Sequence, residues 1–275
     1  MLQTEREDTP KDLAGPMDLE LVVIAIAPVV FLAWFVYTRD RYDPEPRRLV
    51  IKTFVVGAVL VVPVMFAELF GSLILPPSAD FLVMFLHFLL VVALVEESSK
   101  YVAVRVSVYG SREFNEPMDG LVYGAIAGLG FAAPENLLYV LSRGVALGII
   151  RAVLSVPGHA LWGAIIGYYL AFQKLKIDRN AGLRGLILAV TLHTIFDYGL
   201  VAAEPSVGIL IATAVVVLGW AIFFRFKRTA LEVSPFKPEA RVFQPPQMAT
   251  KYCMYCGSLI FADDRFCRSC GAQQV

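Results

Sequence analysis

Two adjacent carboxylic acids, Glu96 and Glu97, stand inside a long apolar stretch of the sequence, and Lys100 follows Glu96 by one helical turn. Two of the three histidines, His159 and His193, stand near the middle of other apolar stretches. Ionisable side chains are costly in such surroundings and usually mark a function. A buried carboxylate can take a proton from water, and an imidazole can stabilise an oxyanion or bind a metal. We therefore expect these residues to share a site that activates water.

Helical spacing gives these residues different roles. Adjacent residues point about 100° apart on a helix, so one of Glu96 and Glu97 can face a cavity while the other pairs elsewhere. Glu96 and Lys100 form an i,i+4 pair in the favourable order. Asp197 lies one turn after His193 and can accept a hydrogen bond that fixes the imidazole tautomer.

A glycine-rich stretch precedes two further polar residues. Gly120, Gly124 and Gly128 recur at four-residue spacing, which predicts a face of small residues for close helix packing. A proline then stands directly before Glu135 and Asn136 and can kink the helix there. We expect Glu135 and Asn136 to support the site.

The composition predicts that membrane helices position these side chains. Hydrophobic residues make up 57% of the 275 residues and charged residues 17%, whereas soluble domains contain about 25% charged residues. This excludes a disordered chain, a collagen-like fibre and a disulfide-rich secreted module. Apolar runs long enough to cross about 30 Å of hydrocarbon favour an all-α polytopic membrane protein over an outer-membrane barrel. The seven predicted transmembrane helices cover residues 19–37, 50–75, 81–106, 118–141, 145–172, 183–203 and 207–224.

Basic residues set the predicted orientation. Twenty of the 24 Lys and Arg residues lie on one side of the predicted membrane. They are in or beside the connections after the first, third and fifth apolar runs, and in the segment after the seventh run. Because cytoplasmic segments are rich in Lys and Arg, we expect an N-terminus outside the cell membrane and a cytoplasmic C-terminus. The net charge of zero gives no reason to expect nucleic acid as a partner. The four basic residues on the other side are Arg6, Lys11, Arg143 and Arg151.

All four cysteines lie near the C-terminus, as two Cys-x-x-Cys pairs that are each followed by glycine. This pattern predicts a closed four-thiolate zinc site that is structural, and metal binding would supply its folding energy. Disulfides are disfavoured in a reducing cytoplasm. We expect the resulting zinc ribbon to bind a cytoplasmic partner. The predicted ligands are Cys253, Cys256, Cys267 and Cys270.

The predicted organisation has four parts. An extracytoplasmic tail covers residues 1–18, and the transmembrane domain covers residues 19–226. A charged, proline-containing linker covers residues 227–250, and the zinc ribbon covers residues 251–275.

Together, the polar segments resemble the PrsW family of intramembrane proteases, which is distantly similar to the CAAX prenyl protease and Abi superfamily. The resemblance covers about residues 20–225 and implies cleavage of a single-pass membrane protein, such as an anti-sigma factor, within the lipid bilayer. It implies that two adjacent glutamates and two histidines surround a catalytic water, here Glu96, Glu97, His159 and His193. The matching segments are residues 96–100, residues 114–136 with Asp119 as a supporting residue, residues 159–162, and His193 with Asp197.

Other interpretations of the same residues stay open at this point. Intramembrane carboxylates and imidazoles also form proton relays, so a proton-coupled transporter is one alternative, although no inverted repeat is visible. A catalytically silent scaffold that presents the ribbon is another. The residues leave open which of Glu96 and Glu97 is the base. They also leave open a catalytic metal, because glutamates with two histidines could hold zinc.

Overall fold

The computed structural model describes residues 19–238, 250–261, 266–267 and 269–273. The predicted extracytoplasmic tail lies outside these residues, and so do residues 239–249 of the predicted linker. The chain divides into two compact units after Ser234.

The first unit confirms the predicted all-α polytopic fold. Its described residues contain seven helical stretches that are long and apolar enough to cross a membrane. Two of these stretches are composite, because Phe81–Ser107 joins three segments and Val145–Lys174 joins two. The described residues form α1 (Leu19–Tyr37), α2 (Arg47–Ile74), α3 (Phe81–His87), a π-helical segment (Phe88–Ala93), α4 (Leu94–Ser107), α5 (Pro117–Arg143), α6 (Val145–Val153), α7 (Ser155–Lys174), α8 (Ala181–Ala202) and α9 (Pro205–Val233).

Two predicted boundaries differ from the structure. The fifth predicted span is divided into α6 and α7 at Leu154. Pro157 then falls in the first turn of α7, where a missing backbone N–H removes no intrahelical hydrogen bond. The predicted linker does not begin at residue 227, because α9 continues to Val233. An i,i+4 ion pair between Arg228 and Glu232 (2.9 Å) supports this exposed end of the helix.

Helices α5 and α7 form the centre of the first unit. In the most apolar part of α5 and of the stretch that contains α7, 78% of the residues are buried, compared with 22% for α1 and α2, most of whose residues there lie outside the protein core. The predicted glycine face makes the contact possible. A Cβ atom at Gly128 would lie 2.0 Å from the carbonyl oxygen of His159, and one at Gly124 would lie 2.2 Å from that of Gly163. The two backbones therefore touch, which brings His159 directly against α5.

The π-helical segment Phe88–Ala93 lies immediately before the turn that carries Glu96 and Glu97. Short π-helical insertions in α-helices often occur at functional sites. The wider turn changes which face the following residues present, so it contributes to the orientation of the two carboxylates.

The second unit contains a two-stranded antiparallel sheet, β1 (Thr250–Tyr252) with β2 (Leu259–Phe261), in which Lys251 pairs with Ile260. Each cysteine pair is followed by a glycine with positive φ, 72° at Gly257 and 74° at Gly271. This left-handed conformation suits glycine. It closes two similar turns, in which the glycine N–H donates to the carbonyl of the first cysteine at 2.9 and 2.8 Å.

Candidate active site

Glu97 occupies a closed position on α4. Its side chain is fully buried, and its Oε1 accepts a hydrogen bond from the ammonium group of Lys100 at 2.6 Å. The same oxygen lies 2.7 Å from Nδ1 of His193. Glu97 therefore links α4 to α8 and does not line the adjoining cavity.

Glu96, its neighbour, does line the cavity. Its Oε2 is buried and makes no hydrogen bond, and the nearest cationic atom, Nζ of Lys100, lies 3.7 Å away. The two carboxylates thus point to different surroundings, as their helical spacing predicts. Glu96 is the expected i,i+4 partner of Lys100, but the ammonium group of Lys100 lies closer to Glu97 than to Glu96.

His159 connects Lys100 with α5. Its Nδ1 lies 2.9 Å from Nζ of Lys100, and its Nε2 lies 2.8 Å from Oε2 of Glu135. An ammonium group can only donate hydrogen bonds, so Nδ1 is the acceptor, and the proton of the neutral ring is on Nε2, which faces Glu135. The ring also lies against Phe131, with 5.6 Å between ring centroids.

His193 lies between two carboxylates. Its Nδ1 faces Glu97, and its Nε2 lies 3.0 Å from Oδ2 of Asp197, so the predicted contact with Asp197 is present. The ring centroid is 5.8 Å from that of His159. The two imidazoles that the sequence places at similar depth are therefore neighbours in space.

Arg151 of α6 also belongs to the site, although it is not among the predicted site residues. Its Nη2 lies 3.1 Å from Oε1 of Glu135, and its Nε donates to Oδ1 of Asn136 at 2.9 Å. Asn136 in turn donates to the carbonyl of Ala25 at 2.7 Å, and the guanidinium group lies 4.2 Å from the ring centroid of Tyr139. The available signal was the position of Arg151 inside the same apolar run as His159.

These residues surround a cavity of about 790 Å³, a typical volume for a ligand pocket. One further carboxylate, Glu68 of α2, lines it, and the Oε1 of Glu68 is buried without a hydrogen-bond partner. The remaining wall is largely apolar, with Phe131, Leu138 and Trp162 among its residues. We call Glu96, Glu97, Lys100, Glu135, Asn136, Arg151, His159, His193 and Asp197 the cavity cluster.

Asp119 does not belong to the cavity cluster, contrary to its predicted supporting role. It lies sixteen residues before Glu135 on the same helix, which is about 24 Å at 1.5 Å per residue. Its Oδ2 accepts hydrogen bonds from the backbone N–H groups of Asn115 (2.6 Å) and Glu116 (2.8 Å). Asp119 therefore caps the start of α5, with Asp40 and Glu45 nearby.

The cavity cluster contains donors that fit a metal ion. One ligand atom from each of Glu96, Glu135 and His159 lies within 4.8 Å of the other two, and the same holds for Glu96, Glu97 and His193. Carboxylates with imidazole form many catalytic zinc sites. The first set fits better, because all three of its residues line the cavity, whereas Glu97 of the second set does not.

The four cysteines of the second unit form a separate metal-ligating group. Sγ of Cys253 lies 3.7 Å from that of Cys270, and Sγ of Cys256 lies 3.6 Å from that of Cys267. These separations are much longer than a disulfide bond of about 2.05 Å. They match tetrahedral coordination with metal–sulfur bonds of about 2.3 Å.

Comparison with known proteins bears on this site. Residues 45–224 match the family described as PrsW family intramembrane metalloprotease. The chain is 34% identical over 213 residues to Protease PrsW of Geobacillus kaustophilus. The matched stretch covers 76% of this chain and 91% of that protein. The chain is also 37% identical over 186 residues to Protease PrsW of Bacillus subtilis, and that stretch covers 66% and 83%. No solved structure matches the chain significantly.

Proposed function

The chain belongs to the PrsW family of intramembrane metalloproteases, and on that premise we propose that its cavity cluster cleaves a membrane-embedded protein by activating water. The observation that carries the proposal is the convergence of Glu96, Glu135, His159 and His193 on one cavity among membrane-spanning helices. Relatives named as proteases favour this function over a transporter or a silent scaffold.

Glu96 is the proposed general base. A base must reach the proton that it removes, and Glu96 faces the cavity with an oxygen that makes no hydrogen bond. Glu97 is the proposed positioning residue, since its contacts with Lys100 and His193 hold both groups in place. The family resemblance does not distinguish the two glutamates, and their different surroundings support assigning them different roles.

The histidines are proposed to position the attacking water or to stabilise the oxyanion that forms at the scissile carbonyl. Both nitrogens of each ring face a partner in this structure, so the second role requires an N–H to turn from its carboxylate to the oxyanion. Glu135 orients His159 through Nε2, and Asp197 orients His193 through its own Nε2. Arg151 in turn holds Glu135.

A catalytic metal would fit the same residues. Glu96, Glu135 and His159 would hold it, with Glu96 then a ligand in place of the general base, and the metal would supply Lewis-acid polarisation of the carbonyl and a more acidic water. The roles of Glu97, Lys100, Arg151 and Asp197 as positioning residues apply with or without the metal, because they act on the side chains that face the cavity.

Charge distribution supports a cytoplasmic C-terminus in the cell membrane. The sequence places twenty basic residues, including Lys100, on the cytoplasmic side and four, including Arg151, on the other. Lys100 and Arg151 are buried in the cavity cluster, and without them the basic residues still divide nineteen to three. The tail at 1–18 would then lie outside. The four cysteines would hold structural zinc in the cytoplasm and present a surface to a partner there. The proposed substrate is a single-pass membrane protein such as an anti-sigma factor.

A cleavage assay in proteoliposomes tests the proposed activity. The full-length protein is reconstituted with a fluorescent single transmembrane peptide, and the cleavage rate is measured for the wild type and for His159→Gln and Glu135→Gln. Glu113→Gln is the matched control, because Glu113 is exposed and outside the cavity. We expect cleavage by the wild type and the control and none by the two cavity variants. Full cleavage by His159→Gln in folded protein would overturn the proposal.

A further inference from the structure

A second group of buried carboxylates lies far from the cavity. Asp40 and Glu45 stand in the connection between α1 and α2, and Asp119 stands in the first turn of α5. Their exposed fractions are 5%, 3% and 1%. One oxygen from each lies within 4.8 Å of the other two. We call these three residues the acidic cluster.

The acidic cluster contains buried oxygens without partners. Oε2 of Glu45 accepts a hydrogen bond from the hydroxyl group of Tyr123, whereas Oε1 of Glu45 has none. Oδ1 of Asp40 accepts the backbone N–H groups of Tyr42 (3.1 Å) and Asp43 (3.4 Å), whereas Oδ2 of Asp40 has no partner. Each unpartnered oxygen therefore belongs to a side chain that is more than nine-tenths buried.

No ion pair found in the described part of the chain includes a carboxylate of the acidic cluster. The ammonium group of Lys174 is near enough to interact electrostatically with Asp119 and Glu45, but its hydrogen bond goes to the backbone carbonyl of Ser111. Glu116, which is fully buried beside Asp119, adds another carboxyl group.

Three buried carboxylates cannot all stay charged without compensation, because desolvation and mutual repulsion both oppose it. Two forms of compensation are available, a bound proton or a bound cation. A proton shared between Glu45 and Asp119, which are close enough to form a hydrogen bond, leaves Oδ2 of Asp40 without a partner, whereas a cation could bind one oxygen of each of the three carboxylates.

We propose that Asp40, Glu45 and Asp119 bind a hard divalent cation, Mg²⁺ or Ca²⁺. The ligand set contains only carboxylate oxygens, which hard cations prefer and which zinc or copper sites usually supplement with nitrogen or sulfur. The cation joins the α1–α2 connection to the start of α5. Tyr123, one turn after Asp119, reinforces this link through its hydrogen bond with Glu45.

This site is structural and independent of the proposed catalytic function. Helix α5 carries the glycine face that packs on α7 and, about 24 Å from Asp119, the cavity carboxylate Glu135. Fixing the first turn of α5 stabilises the two central helices. The site therefore predicts a cation-dependent stability that is measurable without a protease assay.

Thermal unfolding of the full-length protein in detergent tests the proposal. All variants carry Glu96→Gln, which removes the residue common to both metal-ligating sets of the cavity. Mg²⁺ or Ca²⁺ is titrated, and the apparent cation affinity is read from the rise in Tm. We call the Glu96→Gln protein the reference. We expect the cation to raise the Tm of the reference and of its Glu113→Gln derivative. The apparent affinity should be at least about tenfold lower when Glu45→Gln is added to the reference, because one charged ligand is lost.

Binding of Mn²⁺, followed by electron paramagnetic resonance, gives the second measurement. We expect Glu45→Gln and Asp40→Asn each to lose one bound Mn²⁺ relative to the reference. Asp40→Asn also keeps the test valid if Glu45→Gln does not fold. A reference protein whose Tm does not respond to either cation would overturn the proposal. So would a Glu45→Gln variant with an unchanged response, which is the result expected if a shared proton neutralises the cluster.

Discussion

Helix α5 carries two buried polar groups that differ in how their charge is balanced. In the cavity cluster, Lys100 and Arg151 lie among the carboxylates, and two imidazoles separate the acidic groups. In the acidic cluster, the carboxylates face one another and no basic side chain forms an ion pair with them among the described residues. Both groups are buried, so the difference lies in composition and not in exposure.

This difference fits the two proposals, chemistry at the cavity cluster and cation binding at the acidic cluster. In the cavity cluster, Lys100 holds Oε1 of Glu97, whereas Glu96 lines the cavity and its Oε2 makes no hydrogen bond. The acidic cluster has no ion-pair partner among the described residues, so the cation proposal makes its stability depend on what it binds. Changing the charge balance of the cavity cluster should therefore affect cleavage as well as stability, whereas changing that of the acidic cluster should affect cation-dependent stability.

The largest expected effect comes from removing the internal cation of the cavity cluster. Lys100→Met leaves Glu97 buried without its closest positive partner, so we expect the free energy of unfolding to fall by about 3–5 kcal/mol. Adding Glu97→Gln should restore part of the loss, since the uncompensated charge disappears. Unfolding in a denaturing detergent measures both variants. Equal stability of Lys100→Met and the wild type would show that the cluster does not need its own cation.

A smaller effect is expected where the backbones of α5 and α7 touch. In Gly128→Ala the new Cβ would overlap the carbonyl oxygen of His159, so we expect a loss of about 1–3 kcal/mol together with reduced cleavage. Gly120→Ala makes a similar overlap with the carbonyl of Gly167 near the acidic cluster, so it should lower stability with less effect on cleavage.

Gly110→Ala is the matched control for this pair, because a Cβ there has no neighbour within 4 Å. Its stability should equal that of the wild type. Equal cleavage by Gly128→Ala and the wild type would show that the close approach of the two helices does not position His159.

The smallest effect is expected when the charge is kept and only the geometry changes. Arg151→Lys retains a positive charge beside Glu135 but cannot also donate to Asn136 as the guanidinium group does. We expect kcat to fall by about tenfold with little change in KM, because a residue that positions the site has been altered. Steady-state cleavage of the transmembrane peptide provides the measurement. A fall as large as that of Arg151→Met would indicate that the charge matters less than the fork-shaped contact.

The helices were largely predictable because apolar runs of this length have few alternatives in a membrane. Helix α1 has the predicted bounds, Leu19–Tyr37, and the seven spans are confirmed. The division at Leu154 and the extension of α9 to Val233 were not predictable from hydropathy. Both depend on local backbone geometry and on charged residues that remain helical at the membrane edge.

The candidate site was predictable only where the chemistry stands out against an apolar background. His159 and His193 are conspicuous for this reason, and the structure places them side by side. Lys100 is predicted as the helical partner of Glu96, whereas Arg151 is not predicted, because a basic residue near the end of an apolar run is assigned to a connection. Asp119 fits the family motif, yet the length of α5 separates it from the cavity.

The acidic cluster was not predictable at all from the sequence pattern. Asp40 and Glu45 stand in a polar connection, where carboxylates are ordinary, and only the tertiary fold brings them to Asp119. No spacing rule along the chain joins the α1–α2 connection to the start of α5.

A direct comparison of Glu96→Gln with Glu97→Gln tests the central claim that adjacent carboxylates have different roles. Single-turnover cleavage of the transmembrane peptide is measured for both, with thermal unfolding of the same samples. The account predicts that Glu96→Gln keeps its Tm and loses cleavage by about 10²–10⁴-fold, as expected for a general base. It predicts that Glu97→Gln lowers Tm and loses about 10–100-fold. Residual cleavage that is higher in Glu96→Gln than in Glu97→Gln would contradict it.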